Sequence, residues 1–291
     1  MTRIIPALSD IAPQYDALFV DLWGCLHNGV TAFPEAVAAM ESYRAGGGVV
    51  ILVTNSPKPR AGVAAQLVEF GIPTSAYDAI ASSGDSARAA MFRGYVGEKV
   101  YFMGEWERDA GFFEPMEIIE EPVEIRRVPL AEAEGIVCCG PFDPQADPDV
   151  NRPDFLYAKQ KGLKLLCANP DIVVDRGDVR EWCAGALARL YSEMGGESLY
   201  FGKPHPPIYD LAKRRLAAID AKIAPGRILA IGDGIHTDIQ GAQGEDIDSL
   251  FITGGLAAKE TRTTDAPDPD ALAGYLREAM VTPTYAMGQL R

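Results

Sequence analysis

The sequence lacks the features that mark secreted, membrane-spanning and nucleic-acid-binding proteins. Its five cysteines are odd in number and form no C-x-x-C pair, so we expect neither a zinc site nor a closed disulfide framework, but reduced thiols in the cytoplasm. The N-terminus has no basic segment followed by a long apolar run, and no stretch approaches the roughly 18 consecutive apolar residues of a membrane span. Only 27 Lys and Arg residues stand against 41 Asp and Glu residues, and the net charge of −14 disfavours binding to nucleic acid or to an anionic membrane. The expected partner is therefore a small molecule.

What the chain does contain is a large apolar fraction arranged in alternating strand and helix patterns. With 291 residues and 47% hydrophobic content, it exceeds the usual size of one domain, and we expect two. The alternation predicts an α/β fold whose core is a doubly wound, Rossmann-like parallel sheet covered by helices. The middle third repeats the pattern in weaker form, with loops rich in Pro and Asp. We therefore expect an inserted α/β cap domain at 84–196, and a core domain of 1–83 and 197–291. We expect the tail after Met280 to be either an ordered extension or a frayed end.

Four apolar, strand-like segments each run directly into a polar residue. Segments 17–20, 49–53, 199–201 and 228–231 lead into Asp21, Thr54, Gly202-Lys203 and Gly232-Asp233. In open parallel sheets, ligands lie beyond the carboxyl ends of the strands. We therefore expect Asp21, Thr54, Lys203 and Asp233 to converge in one crevice, with Asp238 close enough to join or brace them.

This set of side chains is suited to phosphoryl chemistry. Clustered carboxylates repel unless a cation neutralises them, and Mg²⁺ prefers one or two carboxylates together with water and phosphate oxygens. Lys203 offers a positive charge to a phosphoryl group, Thr54 or Asn55 can donate hydrogen bonds to it, and Asp21 can act as a nucleophile. Each residue also has a structural interpretation, as a helix cap, a turn or a solvated loop residue. The joint order at four strand ends favours the functional interpretation.

These motifs resemble those of the haloacid dehalogenase superfamily, specifically its class IIA phosphatases, whose large cap is inserted between the second and third motifs. The resemblance covers essentially the whole chain. It implies a Mg²⁺-dependent hydrolase that acts on a small phosphorylated metabolite through an aspartyl phosphate, and it leaves a homodimer open. By the same resemblance, segment 169–171 belongs to the cap surface that faces substrate. The implied roles are nucleophile and metal ligand for Asp21, metal ligation for Asp233 and Asp238, phosphate binding for Thr54 and Lys203, and substrate contacts for Asn55, Ser56, Asn169 and Asp171.

One position departs from the family pattern. The superfamily's phosphatases normally have a second Asp two residues after the nucleophile, which protonates the leaving group and activates water, whereas this chain has Trp23. An indole cannot exchange a proton near neutral pH, although the backbone carbonyl of Trp23 could still reach the metal. General acid–base catalysis is typically worth about 10²- to 10⁴-fold, so the substitution predicts a slowed phosphatase. His27, whose imidazole titrates in the useful range, is the leading replacement.

Two alternatives remain open at this stage. One is a degenerate family member that binds a phosphorylated ligand or partner without turnover, because Trp23 removes the proton path. The other is a metal-free dehalogenase, in which an aromatic residue also occupies this position. Asp233 and Asp238 disfavour the dehalogenase, since both carboxylates would then lie unpaired beside the nucleophile.

Overall fold

Strands and helices alternate along the chain in the computed structural model, which describes residues 2–116, 119–176 and 179–291. The strands are β1 (Arg3–Ile4), β2 (Ala17–Val20), β3 (Val49–Thr54), β4 (Ala79–Ser82), β5 (Lys99–Met103), β6 (Arg126–Arg127), β7 (Gly135–Cys138), β8 (Lys164–Cys167), β9 (Val173–Arg176), β10 (Val179–Trp182), β11 (Glu197–Tyr200), β12 (Ile228–Gly232), β13 (Asp248–Ile252) and β14 (Tyr285–Met287). The α-helices are α1 (Pro34–Ala45), α2 (Arg60–Glu69), α3 (Ser83–Phe92), α4 (Trp106–Asp109), α5 (Arg152–Gln160), α6 (Ala184–Glu193), α7 (Pro206–Ile219), α8 (Gln240–Gly244) and α9 (Pro269–Ala279). A single π-helical turn, Ile235–Ile239, precedes α8.

The chain divides into two units. The first comprises residues 1–54, 64–81 and 209–291, and the second comprises 55–63 and 82–208. The inserted domain expected at 84–196 falls within the second unit, whose limits are wider at both ends and which also takes in the segment after β3. No helix in the described part of the chain is both long and apolar enough to cross a membrane.

The first unit is built on a seven-stranded sheet in the order β1-β14-β13-β12-β2-β3-β4. When β1 is left aside and the other six strands are numbered 1 to 6 along the chain, their order across the sheet is 6-5-4-1-2-3. This is the doubly wound arrangement, and its switch point lies between β2 and β12. Every residue of β2 and β12 is buried, as expected for parallel strands with both faces covered. The predicted α/β, doubly wound core is therefore confirmed.

The C-terminal tail, residues 281–291, is an ordered part of this sheet. Its strand β14 lies between β1 and β13 and runs parallel to both. All three residues of β14 are buried. Of the two predicted states of the tail, the ordered extension is thus the one observed.

The second unit contains a five-stranded parallel sheet, β11-β8-β7-β5-β6, and an antiparallel hairpin of β9 and β10. The prediction that segment 199–201 belongs to the core sheet is wrong. Strand β11 pairs with β8, with Leu199 beside Leu166, and Leu199 packs against the cluster that contains Leu166 and Val137. An apolar run specifies a strand but not its partner strand.

Candidate active site

Three carboxylates come together at the switch point of the core sheet. Asp21 follows β2, Asp233 follows the neighbouring strand β12, and Asp238 lies in the π-helical turn just beyond. One oxygen atom from each lies within 4.8 Å of the other two, and the three residues are only 8%, 6% and 5% exposed. Among residues 2–116, 119–176 and 179–291, this is the one such group of three or more metal-ligating side chains.

Glycines on two loops press against the Asp233 carboxylate. A Cβ atom placed on Gly24 would lie 2.1 Å from Asp233 Oδ2, and one placed on Gly255 would lie 2.0 Å from the same oxygen. Gly24 also has a φ of +71°, which favours glycine. The backbone N–H of Leu256 donates to Asp233 Oδ2 at 3.0 Å. Asp233 is therefore held on several sides by the main chain.

Asp238 is fixed in a similar way. Its Oδ2 accepts hydrogen bonds from the backbone N–H of Gly234 at 3.2 Å and from the Thr237 hydroxyl at 3.3 Å. A Cβ atom on Gly232 would lie 2.1 Å from the Asp238 carboxyl carbon, so only glycine fits there. The π-helical turn lets the N–H groups of both Asp238 and Ile239 bond to the Gly234 carbonyl, at 2.9 and 3.2 Å. Such turns are frequent at functional sites.

The cluster of three carboxylates is suited to bind a hard divalent cation. Three buried carboxylates at this separation repel one another, and a cation removes that cost. Mg²⁺ takes oxygen ligands at about 2.0–2.1 Å, so oxygens on opposite sides of one ion stand about 4.2 Å apart. The observed limit of 4.8 Å therefore requires only small side-chain adjustments for a shared ion. The oxygen-only donor set is also the one that Mg²⁺ prefers.

Thr54 ends β3 at the same edge of the core sheet. Strand β3 pairs with β2 in parallel register, with Leu52 beside Val20, so Asp21 and Thr54 both follow the paired segments. The Thr54 side chain is 1% exposed. The sequence-predicted positions of Asp21, Thr54 and Asp233 thus share one sheet edge in the first unit.

Trp23 and His27 form an aromatic layer in the loop after Asp21. Their rings stand edge to face at 5.2 Å, and the His27 ring meets Phe70 at 4.8 Å. The Trp23 ring also covers Gly29, where a Cβ atom would lie 2.2 Å from it. The Trp23 indole therefore packs within the loop.

His27 does not fit the predicted role of proton donor. Burial lowers the pKa of His27 from 6.5 to about 4, so the imidazole is neutral at physiological pH. Its Nδ1 accepts the Gly29 N–H at 3.0 Å, and the side chain is 1% exposed. The sequence shows a titratable ring in the loop after Asp21, but the pKa of that ring depends on burial, which residue spacing cannot reveal.

The second unit contains Lys203 and the predicted substrate-contacting residues. The Asn55 side chain accepts the Lys203 N–H at 2.7 Å, and its amide nitrogen donates to the Lys203 carbonyl at 3.1 Å. The same nitrogen donates to Asp171 Oδ1 at 2.8 Å. Asn55 thus uses both amide atoms to hold Lys203 and Asp171, which makes it a positioning residue. The convergence of Lys203 with the three carboxylates stays a prediction.

Ser56 and Asn169 are engaged in local backbone contacts. Ser56 Oγ accepts the Lys58 N–H at 3.3 Å, and the Ser56 carbonyl accepts the Gly84 N–H at 3.0 Å. Asn169 Oδ1 accepts the Asp171 N–H at 3.0 Å, which fixes the turn that presents Asp171. Substrate contact by either residue stays a prediction.

Sequence reasoning missed Gly255 and Leu256 as part of the site. They follow the apolar, strand-like segment 250–252. The same rule that selected Asp21 and Asp233, namely that residues after parallel strands line one edge, applies to the strand β13 that precedes them.

Comparisons with known proteins agree with this geometry. Residues 18–114 match the family model of haloacid dehalogenase-like hydrolases, and residues 200–279 match a second model described as HAD-hydrolase-like. A solved hydrolase of the haloacid dehalogenase-like family from Brucella suis 1330 is 37% identical, covers 99% of this chain and 100% of its own, and has a TM-score of 0.86. The 5′-nucleotidase of Bacillus subtilis (strain 168) is 24% identical over 272 residues, which are 91% of this chain and 97% of that protein. The glycerol phosphate phosphatase of Mycobacterium tuberculosis, solved in complex with magnesium, is 22% identical, covers 97% of this chain and 77% of its own, and shares the fold with a TM-score of 0.65.

Proposed function

We propose that this chain, which belongs to the haloacid dehalogenase-like hydrolase family, is a Mg²⁺-dependent phosphatase of small phosphorylated metabolites. The observation that carries the proposal is the buried group of Asp21, Asp233 and Asp238 at the switch point of the core sheet. In the first step, Asp21 attacks phosphorus, the ester P–O bond breaks, and the leaving oxygen takes a proton from solvent and departs as the alcohol. In the second, water attacks the phosphorus of the aspartyl phosphate, which releases phosphate and regenerates Asp21.

Different side chains would bind the cation and the phosphoryl group. Asp21, Asp233 and Asp238 would hold Mg²⁺, together with the backbone carbonyl of Trp23. The ion supplies positive charge that offsets the phosphoryl oxygens. Thr54 donates a hydrogen bond to those oxygens, and Lys203 adds a compact positive charge.

The relatives support a phosphomonoester as substrate, and the composition supports a cytoplasmic enzyme. The Bacillus subtilis relative is a 5′-nucleotidase and the Mycobacterium tuberculosis relative is a glycerol phosphate phosphatase, so both act on phosphomonoesters. The net charge of −14 argues against nucleic acid or a membrane as a partner. Five buried cysteines fit a cytoplasmic enzyme. A homodimer is left open.

The missing proton donor predicts a dependence on the leaving group. Trp23 cannot donate a proton, and the pKa of His27 is held near 4 by burial. Esters with a weakly basic leaving group, such as p-nitrophenyl phosphate, need no protonation. We therefore expect them to react faster than alkyl phosphates by roughly the 10²- to 10⁴-fold that general acid catalysis is worth.

A second candidate function is a binding protein that does not turn its ligand over. The packing of the Trp23 ring on His27 and Gly29 favours it, because this leaves an aromatic layer where the family usually has a carboxylate. The retained nucleophile Asp21 favours the enzyme instead, since a binding protein does not need it.

One experiment separates the two functions. Phosphate release is measured from a panel of phosphomonoesters with and without Mg²⁺, for the parent chain and for Asp21→Asn and Trp23→Asp. Mg²⁺-dependent release that is lost in Asp21→Asn supports the phosphatase. No release by the parent from any ester, with activity appearing only in Trp23→Asp, would overturn it in favour of the binding protein.

A further inference from the structure

We propose that the C-terminal tail positions the metal carboxylate Asp233 and thereby sets the affinity of the site for its cation. This inference rests on the proposed function, because it assigns the tail a role at that metal site. The connection runs from β14 through a loop of residues 253–263, here called the threonine loop, to the Asp233 side chain.

The threonine loop contacts Asp233 directly at its first turn. Leu256 donates its backbone N–H to Asp233 Oδ2 at 3.0 Å. A Cβ atom on the preceding Gly255 would lie 2.0 Å from the same oxygen and 2.7 Å from the Asp233 Cβ. A displacement of this turn by a fraction of an ångström would therefore change the direction in which the carboxylate points.

The tail fixes the start of that loop. The Thr253 N–H donates to the Met287 carbonyl at 2.8 Å, and the Gly254 N–H donates to the Gly288 carbonyl at 2.7 Å. The approach at Gly254 is close, because a Cβ atom there would lie 2.4 Å from the Gly288 oxygen. The two residues before the Asp233 contact thus extend the pairing of β13 with β14.

A chain of buried and half-buried hydroxyls joins the two ends of the threonine loop to the tail. The Thr263 hydroxyl donates to Thr253 Oγ1 at 2.8 Å, and the Thr253 hydroxyl donates to the Met287 carbonyl at 3.1 Å. The Thr261 and Thr263 hydroxyl oxygens are 2.7 Å apart, and Thr253 and Thr261 are both fully buried. Removing the Thr253 hydroxyl therefore takes away both the acceptor for Thr263 and the donor to Met287, and it loosens the loop.

The far end of the tail is anchored as well. Arg291 pairs with Asp265 at 2.6 Å, just beyond the threonine loop, and donates to the Pro6 carbonyl at 2.8 Å. The Arg291 carbonyl accepts the Leu8 N–H at 2.8 Å. The tail lies outside both matched family segments, which end at residues 114 and 279. The part of the support that the tail provides therefore lies beyond those segments, whereas the threonine loop lies within the second one.

The test compares Thr253, in the threonine loop, with Thr284, in the tail. The hydroxyl of each makes a hydrogen bond between the tail and the rest of the core. Thr253→Val removes the hydroxyl at the threonine loop, and Thr253→Ser restores it. Thr284→Val is the matched control, because the Thr284 hydroxyl ties the tail to the start of β13 by bonds to Asp248 Oδ1 at 2.8 Å and from the Ser249 N–H at 3.2 Å. Mg²⁺ binding to the full chain is measured by titration calorimetry, and the Mg²⁺ dependence of kcat and KM is measured beside it.

We expect Thr253→Val to weaken Mg²⁺ binding about tenfold, at the lower end of the range for residues that support a metal ligand. Thr253→Ser should return to the parent value, and Thr284→Val should lose thermal stability without weakening Mg²⁺ binding. If Thr253→Val does not fold, Thr263→Val, which removes the donor to Thr253, takes its place.

The outcomes distinguish the inference from the proposed function. A parent chain that binds Mg²⁺, with equal affinity in Thr253→Val or Thr263→Val, overturns the inference alone. Equal weakening in Thr284→Val also overturns it, because the effect would then not pass through the bonds that join Thr253 and Gly254 to Met287 and Gly288. A parent chain that binds no Mg²⁺ overturns the proposed metal site, and the inference falls with it.

Discussion

Replacing Gly24 by alanine tests whether the main chain holds the metal carboxylate in place. The added methyl group would start 2.1 Å from Asp233 Oδ2 and 2.4 Å from its carboxyl carbon, so the carboxylate must move. The φ of +71° adds backbone strain of about 1–2 kcal/mol for a residue with a Cβ atom. Both effects lower stability, but only the first should abolish metal binding.

Gly71→Ala separates these two effects. Gly71 has a similar φ of +84°, and a Cβ atom there would meet nothing within 4 Å. Without Mg²⁺, Gly71→Ala should lose about 1–2 kcal/mol of unfolding free energy, and Gly24→Ala should lose more because the clash adds to the strain. At a Mg²⁺ concentration about a hundredfold above the dissociation constant, the parent and Gly71→Ala should each gain about 2.7 kcal/mol, whereas Gly24→Ala should gain almost nothing.

The assay is denaturant unfolding with and without Mg²⁺, with titration calorimetry as a second measurement of affinity. Parent-like stabilisation of Gly24→Ala by Mg²⁺ would refute the view that the Gly24 backbone fixes Asp233. Loss of Mg²⁺ stabilisation in Gly71→Ala to the same extent would assign the effect to backbone strain.

Three further predictions concern other parts of the chain. Asn55→Asp should raise the KM for p-nitrophenyl phosphate more than about tenfold in steady-state assays, because it removes the donors to Asp171 and Lys203 and sets two carboxylates face to face; Asn28→Asp, in an exposed turn, should not. Burial lowers the pKa of His27 from 6.5 to about 4, so between these pH values the unfolded chain binds a proton at His27 that the folded chain does not. The free energy of unfolding should therefore be about 3 kcal/mol lower near pH 4 than above pH 6.5. Urea unfolding across that range should show the loss in the parent but not in His27→Gln, and equal pH slopes would contradict it. Burial raises the pKa of the thiols of Cys138, Cys139, Cys167 and Cys183, so a thiol reagent should react slowly with the folded chain. After unfolding, the reagent should label all five cysteines rapidly. Fast labelling of the folded chain would disprove this.

Local patterns in the sequence were sufficient to predict the core sheet and its polar edge. Apolar runs that end in Asp21, Thr54 and Asp233 are strands in the structure, and parallel pairing brings Asp21 and Asp233 together with Asp238. These features follow from periodicity and from the common direction of parallel strands, both of which can be inferred from residue order alone.

What could not be predicted depends on contacts between distant residues. The segment that leads to Lys203 is apolar and forms a strand, but its pairing with β8 is set by packing that no local pattern encodes. The neutral state of His27 comes from burial against Trp23 and Phe70. The contact of Leu256 with Asp233 is made by a loop that begins where the C-terminal tail pairs with β13, far away in sequence.

The most direct test of the account is whether Asp21 becomes phosphorylated in a Mg²⁺-dependent reaction. The parent chain is mixed with p-nitrophenyl phosphate, quenched with acid within one turnover, digested and analysed by mass spectrometry. We predict that the peptide containing Asp21 gains the mass of one phosphoryl group with Mg²⁺, and that this gain is absent with a chelator and in Asp233→Asn. Turnover without phosphorylation of Asp21, or phosphorylation that is independent of the cation, would contradict the account.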